Sequence, residues 1–111
     1  MFGHNKEKKL EKALEKKDVM KICEYLQDAD KAIVIKAMDA LSTLKGDESA
    51  LNALIPWLHN RDKELQIHAA LALGKLGNNA CMTHLSYQLK NEKDESVKKA
   101  LTEAIEMLKG V

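Results

Sequence analysis

Proline is nearly absent from these 111 residues, with only Pro56, and glycine occurs five times. Few positions can therefore break a helix or force a turn. Aromatic residues make up 4% of the chain, and the β-branched set is limited to 4 Val, 6 Ile and 3 Thr. That scarcity argues against a β-sandwich or barrel. Two cysteines, Cys23 and Cys81, are too few for a disulfide framework and point to reduced thiols. No apolar run approaches the length of a membrane span, and Met1-Phe2-Gly3-His4-Asn5 lacks the apolar core of a signal peptide. A cytoplasmic protein is the expectation. An excess of one charge is missing as well: 18 Lys and Arg face 17 Asp and Glu, for a net +1. A dedicated nucleic-acid binder needs surplus cations to displace counterions, and a polybasic membrane anchor needs them too. The one local bias, 6 lysines against Glu7, Glu11 and Glu15 between Lys6 and Lys17, reads as a soluble end-cap.

What the chain does contain is helix-forming material. Ala, Glu, Lys, Leu and Arg supply 57 of the 111 residues, and 45% of the chain is hydrophobic, enough to fill a core. The length fits a single domain spanning 1–111. Apolar residues recur at spacings of three and four along Ile33-Ala37-Ala40-Leu41-Leu44, along Leu65-Ala69-Ala72-Leu73-Leu76, and along Val97-Leu101-Ala104-Ile105-Leu108. Each stripe is the buried face of an amphipathic helix. The three stripes superpose on a shift of 32 residues, which also aligns Asp30, Asp62 and Asp94 just ahead of them. A carboxylate there can accept the orphan N–H groups of a helix start. Such a period is the mark of stacked helical units.

Shorter helices alternate with the long ones. Val19, Ile22, Cys23 and Leu26 match Leu51, Leu54, Ile55 and Leu58 at 32 residues, and then Met82, Leu85, Ser86 and Leu89 at 31. Gly46, Gly77 and Gly110 fall just past the long helices, where a left-handed residue closes the last turn. The pattern predicts helices near 5–16, 18–28, 31–44, 48–59, 63–76, 79–90 and 95–108. They group into units of about 5–28, 31–60 and 63–92 with a half unit at 95–110. The fold class is all-α, a right-handed α-α superhelix: a short α-solenoid of about three and a half antiparallel helix pairs. Gly74 lies inside a helix, which is costly unless a neighbouring backbone comes close. Pro56 is expected to kink its helix by leaving the Asn52 carbonyl unpartnered.

The segment from Asp62, with Ala69-Ala70-Leu71-Ala72-Leu73-Gly74-Lys75-Leu76-Gly77 closing its first helix, resembles a HEAT repeat of the short type found in phycobilisome-lyase-like proteins. Weaker copies extend the resemblance over residues 18–110. Two departures stand out. Val34 and Gln66 occupy a place that is often basic and is Lys98 in the last copy, and Pro56 comes late in its helix. The resemblance implies that second helices line the concave side of the array. It also implies a scaffold or adaptor role, with two further readings: an accessory subunit or chaperone of a lyase acting on a tetrapyrrole-bearing protein, and nucleic-acid binding. The acidic second-helix segments, with Asp18, Glu24, Asp28, Asp47 and Glu48 against Lys21 and Lys90, disfavour the last.

No residue constellation suggests an enzyme or a cofactor. Gly-x-Ser-x-Gly, the phosphate-binding loop, His-Glu-x-x-His and Cys-x-x-Cys are all absent. His4, His59, His68 and His84 are scattered over different units. Cys81 and His84 could share a helical face, but a closed zinc site needs four ligands. Glu103 and Glu106 have the spacing of an acid/base pair without any sign of a desolvated pocket. The positive signal is a contact ridge. Tyr25, Trp57 and Gln88 occupy one row of the repeat, Tyr87 stands beside it, and Asn52, His59 and His84 can add hydrogen bonds. Tyr25 and Trp57 could equally fold down over the seam between hairpins, a reading that the size of tryptophan favours for Trp57. The partner is an unidentified protein, and a homodimer through the C-terminal half unit is a further expectation.

Overall fold

The computed structural model describes residues 2–110, with side chains from Asn5 onward. Among them there are seven α-helices and three short 3₁₀ segments, and no strand. In chain order the helices are α1 (Phe2–Glu15), α2 (Val19–Glu24), α3 (Lys31–Ser42), α4 (Glu48–Leu54), α5 (Lys63–Leu76), α6 (Met82–Asn91) and α7 (Glu95–Lys109). All seven agree with the periodicity, and the whole is a short helical repeat array measuring 40 × 25 × 19 Å.

The repeating start signals act as their chemistry requires. The Asp30 carboxylate accepts the Ala32 N–H, that of Asp62 accepts the N–H groups of Glu64 and Leu65, and that of Asp94 accepts those of Ser96 and Val97. Asp28 and Asn60 each accept the N–H two residues on at 2.8 Å, and Glu92 does so at 3.1 Å. These bonds fix the approach to each first helix, again at intervals of 32 residues. Gly77 and Gly110 close α5 and α7 in the left-handed region, with φ of +77° and +80°, whereas α3 ends earlier than expected, at a right-handed Thr43, and Gly46 (φ +71°) turns the chain three residues further on.

Pro56 does not kink a longer helix. The α pattern ends at Leu54, and residues Ile55–His59 continue as a 3₁₀ segment with Pro56 in its first turn. Tyr25–Gln27, one period earlier and without proline, is 3₁₀ as well. The tightening therefore belongs to the repeat, and Pro56 occupies a place where its missing N–H costs nothing extra. In the third unit the 3₁₀ turn moves to the beginning, Asn79–Cys81, and α6 stays α-helical to Asn91.

The first helices α3, α5 and α7 stack as one layer, each also resting on the second helix before it. Ile33, Leu41, Leu73, Leu76 and Leu101 are fully buried in the shared core. Gly74 is placed by a close approach: a Cβ there would lie 2.8 Å from Cα of Ala104. The turns stack too. The Gly46 N–H donates to the Leu76 carbonyl at 2.7 Å, and Asn78 Nδ2 returns a bond to the Gly46 carbonyl at 3.1 Å. Along the opposite edge Lys31 meets Asp62 at 2.8 Å, and one period later Lys63 meets Asp94 at 3.3 Å. These ion pairs are largely exposed and add register more than energy.

The two ends of the array are finished differently from its middle. α1 buries Leu10 and Ala13 and leaves Lys8, Lys9 and Lys12 in solvent. On α7, Thr102 and Glu106 are exposed, whereas the equivalent Ala70 and Gly74 of α5, and Met38 and Ser42 of α3, are buried. Polar residues thus close the first-helix layer.

Candidate functional site

The second helices carry every residue of the expected ridge, and the structure distributes these residues over three settings. Between α2 and α4 lies a groove of about 390 Å³ whose walls include Cys23, Leu26 and Gln27 on one side and Asn52 and Trp57 on the other. Asn52 is exposed and lines the groove. Trp57 is half-buried: part of the indole packs on the core and part lines the groove. The two alternatives for Trp57 therefore combine, since it seals the seam and forms the groove wall at once. Both walls follow from the apolar stripe of each second helix. Ile22, Leu54 and Leu58 turn inward, so the residues beside them rim the cleft.

Tyr25 sits apart from that groove. It is half-buried against the core, and the Lys21 ammonium is 6.0 Å from its ring centroid, at the outer limit of a cation–π contact. Tyr87 forms the third setting. It is 64% exposed and borders an open groove of about 540 Å³ along α6, together with Met82, Ser86, Leu89 and Lys90. Gln88 serves the local fold instead, since its Nε2 donates to Glu92 at 3.3 Å, and Glu92 in turn accepts the Asp94 N–H. His59 and His84 are exposed and line neither groove. The structure thus brings Asn52 and Trp57 together and leaves Tyr25, Tyr87, Gln88, His59 and His84 apart from that pair.

The thiols are held in their neutral form. Burial raises the Cys23 thiol above its ordinary value, and the Asp47 charge adds to the effect. Burial likewise raises Cys81, whose Sγ donates to the Asn78 carbonyl at 3.3 Å. A protonated thiol is a poor nucleophile and a poor metal ligand. Cys81 is buried while His84 is exposed, so the two do not share a face. Among the described residues no group of three or more His, Cys, Asp or Glu stands together; the His4 side chain lies outside them.

One polar residue of structural weight was not singled out by the periodicity. Gln66 is buried, and its amide donates to the Leu58 carbonyl at 2.8 Å, tying α5 to the end of the α4 unit. Its only signal in sequence is a polar side chain at a position that Val34 fills in the preceding copy.

Comparison with known proteins adds the family. A search of curated proteins finds no match. The family model described as HEAT repeats matches residues 19–106, most of the chain and nearly the whole repeat. The short phycobilisome-lyase-like subtype is not distinguished by this match. HEAT repeats generally mediate protein–protein interaction and are typically non-catalytic. The periodic stripes, the stacked first helices and the family match together place this chain in the HEAT-repeat family.

Proposed function

We propose that this protein is a non-catalytic adaptor that holds a protein partner against its second-helix face. The observation that carries the reading is the α2–α4 groove, where Trp57 and Asn52 share one rim in a chain of interaction repeats. A half-buried indole is already ordered, so a partner gains its contact area at little entropic cost. The exposed Asn52 amide offers a donor and an acceptor beside it. No membrane is invoked: none of the described helices is long and apolar enough to cross one.

Capture of a partner by the intact protein tests this. Asn52→Lys on the groove rim and Trp57→Ala should each reduce retention by about tenfold or more. Asp39→Ala, on the exposed face of first helix α3, should leave it unchanged. Asn52 is exposed, so its variant separates lost contact from lost folding. Equal retention by all variants, or turnover of a small molecule with no protein retained, rejects the reading.

A further inference from the structure

The outward wall of α6 repeats the wall that α2 turns toward α4. Cys23, Leu26 and Gln27 form one side of the α2–α4 groove. The repeat carries those positions onto Ser86, Leu89 and Lys90, and these border the open groove along α6. Burial records the difference. Leu26 and Leu58 are buried where Leu89 is half-exposed, and Leu51 is buried where Met82 is half-exposed. On α7, Ile105 and Leu108 are half-exposed where Leu73 and Leu76 of α5 are fully covered. The apolar seam between successive second helices therefore continues past α6 without an occupant among the described residues.

The first-helix layer at the same edge behaves oppositely, since Thr102 and Glu106 close it. A complete further hairpin would have to bury both side chains, and although the Thr102 hydroxyl already donates to the Lys98 carbonyl at 2.9 Å, the Glu106 carboxylate would go under as a charge. A single helix in the second layer avoids them. Charge narrows the occupant further. Lys90 borders the groove, and none of the described acids does. Helical spacing puts Lys98 and Lys109 on the Leu101–Ile105–Leu108 side of α7. Among the described residues Lys98 pairs with Glu95 of its own helix, at 3.4 Å, and with no acid of another.

We propose that this edge docks one amphipathic helix of a partner protein, apolar at i, i+3, i+4 and i+7 and acidic on its flank, as an added member of the second-helix layer. The proposal rests on the adaptor reading and names the kind of partner segment it would engage. Recognition is of the helix-in-groove kind, with Met82, Leu89, Ile105 and Leu108 as the apolar floor and Tyr87 at the rim.

The probe is a synthetic peptide of residues 47–60 of this chain carrying Pro56→Ala. It presents Leu51, Leu54, Ile55 and Leu58 behind Asp47 and Glu48, and its parent segment lies beside α2 in the folded protein. Titrated into the isotope-labelled full chain, it should produce saturable amide shifts at Met82, Ser86, Leu89 and Leu108. Tyr87→Ala and Lys90→Glu, both at exposed positions, should each weaken binding about tenfold. Absence of shifts at millimolar peptide, or shifts confined to the α2–α4 groove, overturns the proposal. So does a dimer in sedimentation that Tyr87→Ala dissolves, because a second copy would then cover this edge. Partner capture through Asn52 and Trp57 is read separately, so failure of the peptide arm alone leaves the adaptor reading standing.

Discussion

Gly74 shows how a single residue reports the packing of two helices. Helix propensity alone says that Gly74→Ala should stabilise α5 by about 1 kcal/mol. The Ala104 backbone, 2.8 Å from the position of the new Cβ, says the reverse. Overpacking of this kind costs about 1–3 kcal/mol, so the variant should unfold at lower urea than the parent. The capping carboxylates make a second prediction, this one in pH. The Asp94 carboxyl is lowered to about 2, first by the Ser96 hydroxyl and then by the Val97 N–H. Asp62 is lowered chiefly by Lys31, and Asp28 chiefly by the Asp30 N–H. A carboxyl that ionises more readily when folded contributes stability in full above its unfolded value. That contribution disappears as pH falls through the folded value. Urea midpoints should therefore hold down to about pH 4 and fall toward about pH 2, where Asp94 titrates. An Asp94→Asn variant should show a shallower decline, because its cap does not titrate.

At the scale of elements, the legible features were those that repeat. The stripes and the Asp caps recur at 32 residues and the positive-φ glycines at 31 and 33, and each rests on a local rule that a sequence displays directly. The 3₁₀ ends of the second helices were not legible, because they reflect how Tyr25–Gln27 and Ile55–His59 settle on neighbouring helices. Proline at residue 56 suggested a kink, yet the same turn forms one unit earlier without it. Pro56→Ala should accordingly leave far-UV circular dichroism nearly unchanged. It should lower stability by about 0.4–1 kcal/mol through the freer unfolded chain alone. A clear gain of helicity would show that proline, and not the repeat, sets the 3₁₀ segment.

For the whole molecule, stability is a sum over neighbouring units, and position along the array sets the size of each contribution. Leu73 and Ile105 are equivalent in the repeat, but Leu73 is fully buried and Ile105 is half-exposed near the C-terminal edge. Leu73→Ala should cost about 2–5 kcal/mol, and Ile105→Ala less than half of that. The candidate surface was only partly legible for the same reason. The 32-residue register found the row holding Tyr25, Trp57 and Gln88, but register does not tell which neighbours a side chain meets. Gln88 bonds to Glu92 at the end of its own helix, and Asn52 with Trp57 came together on one rim of a groove. The stacking of units is the claim on which both surfaces stand, and the Gly46 amide tests it most directly. Gly46 lies in an exposed turn, and its N–H reaches the Leu76 carbonyl of the next unit at 2.7 Å. Native-state hydrogen exchange should find that amide slowed on the order of 100-fold or more relative to an unstructured glycine. Exchange at the unstructured rate would mean that the turns do not stack, and it would contradict the array.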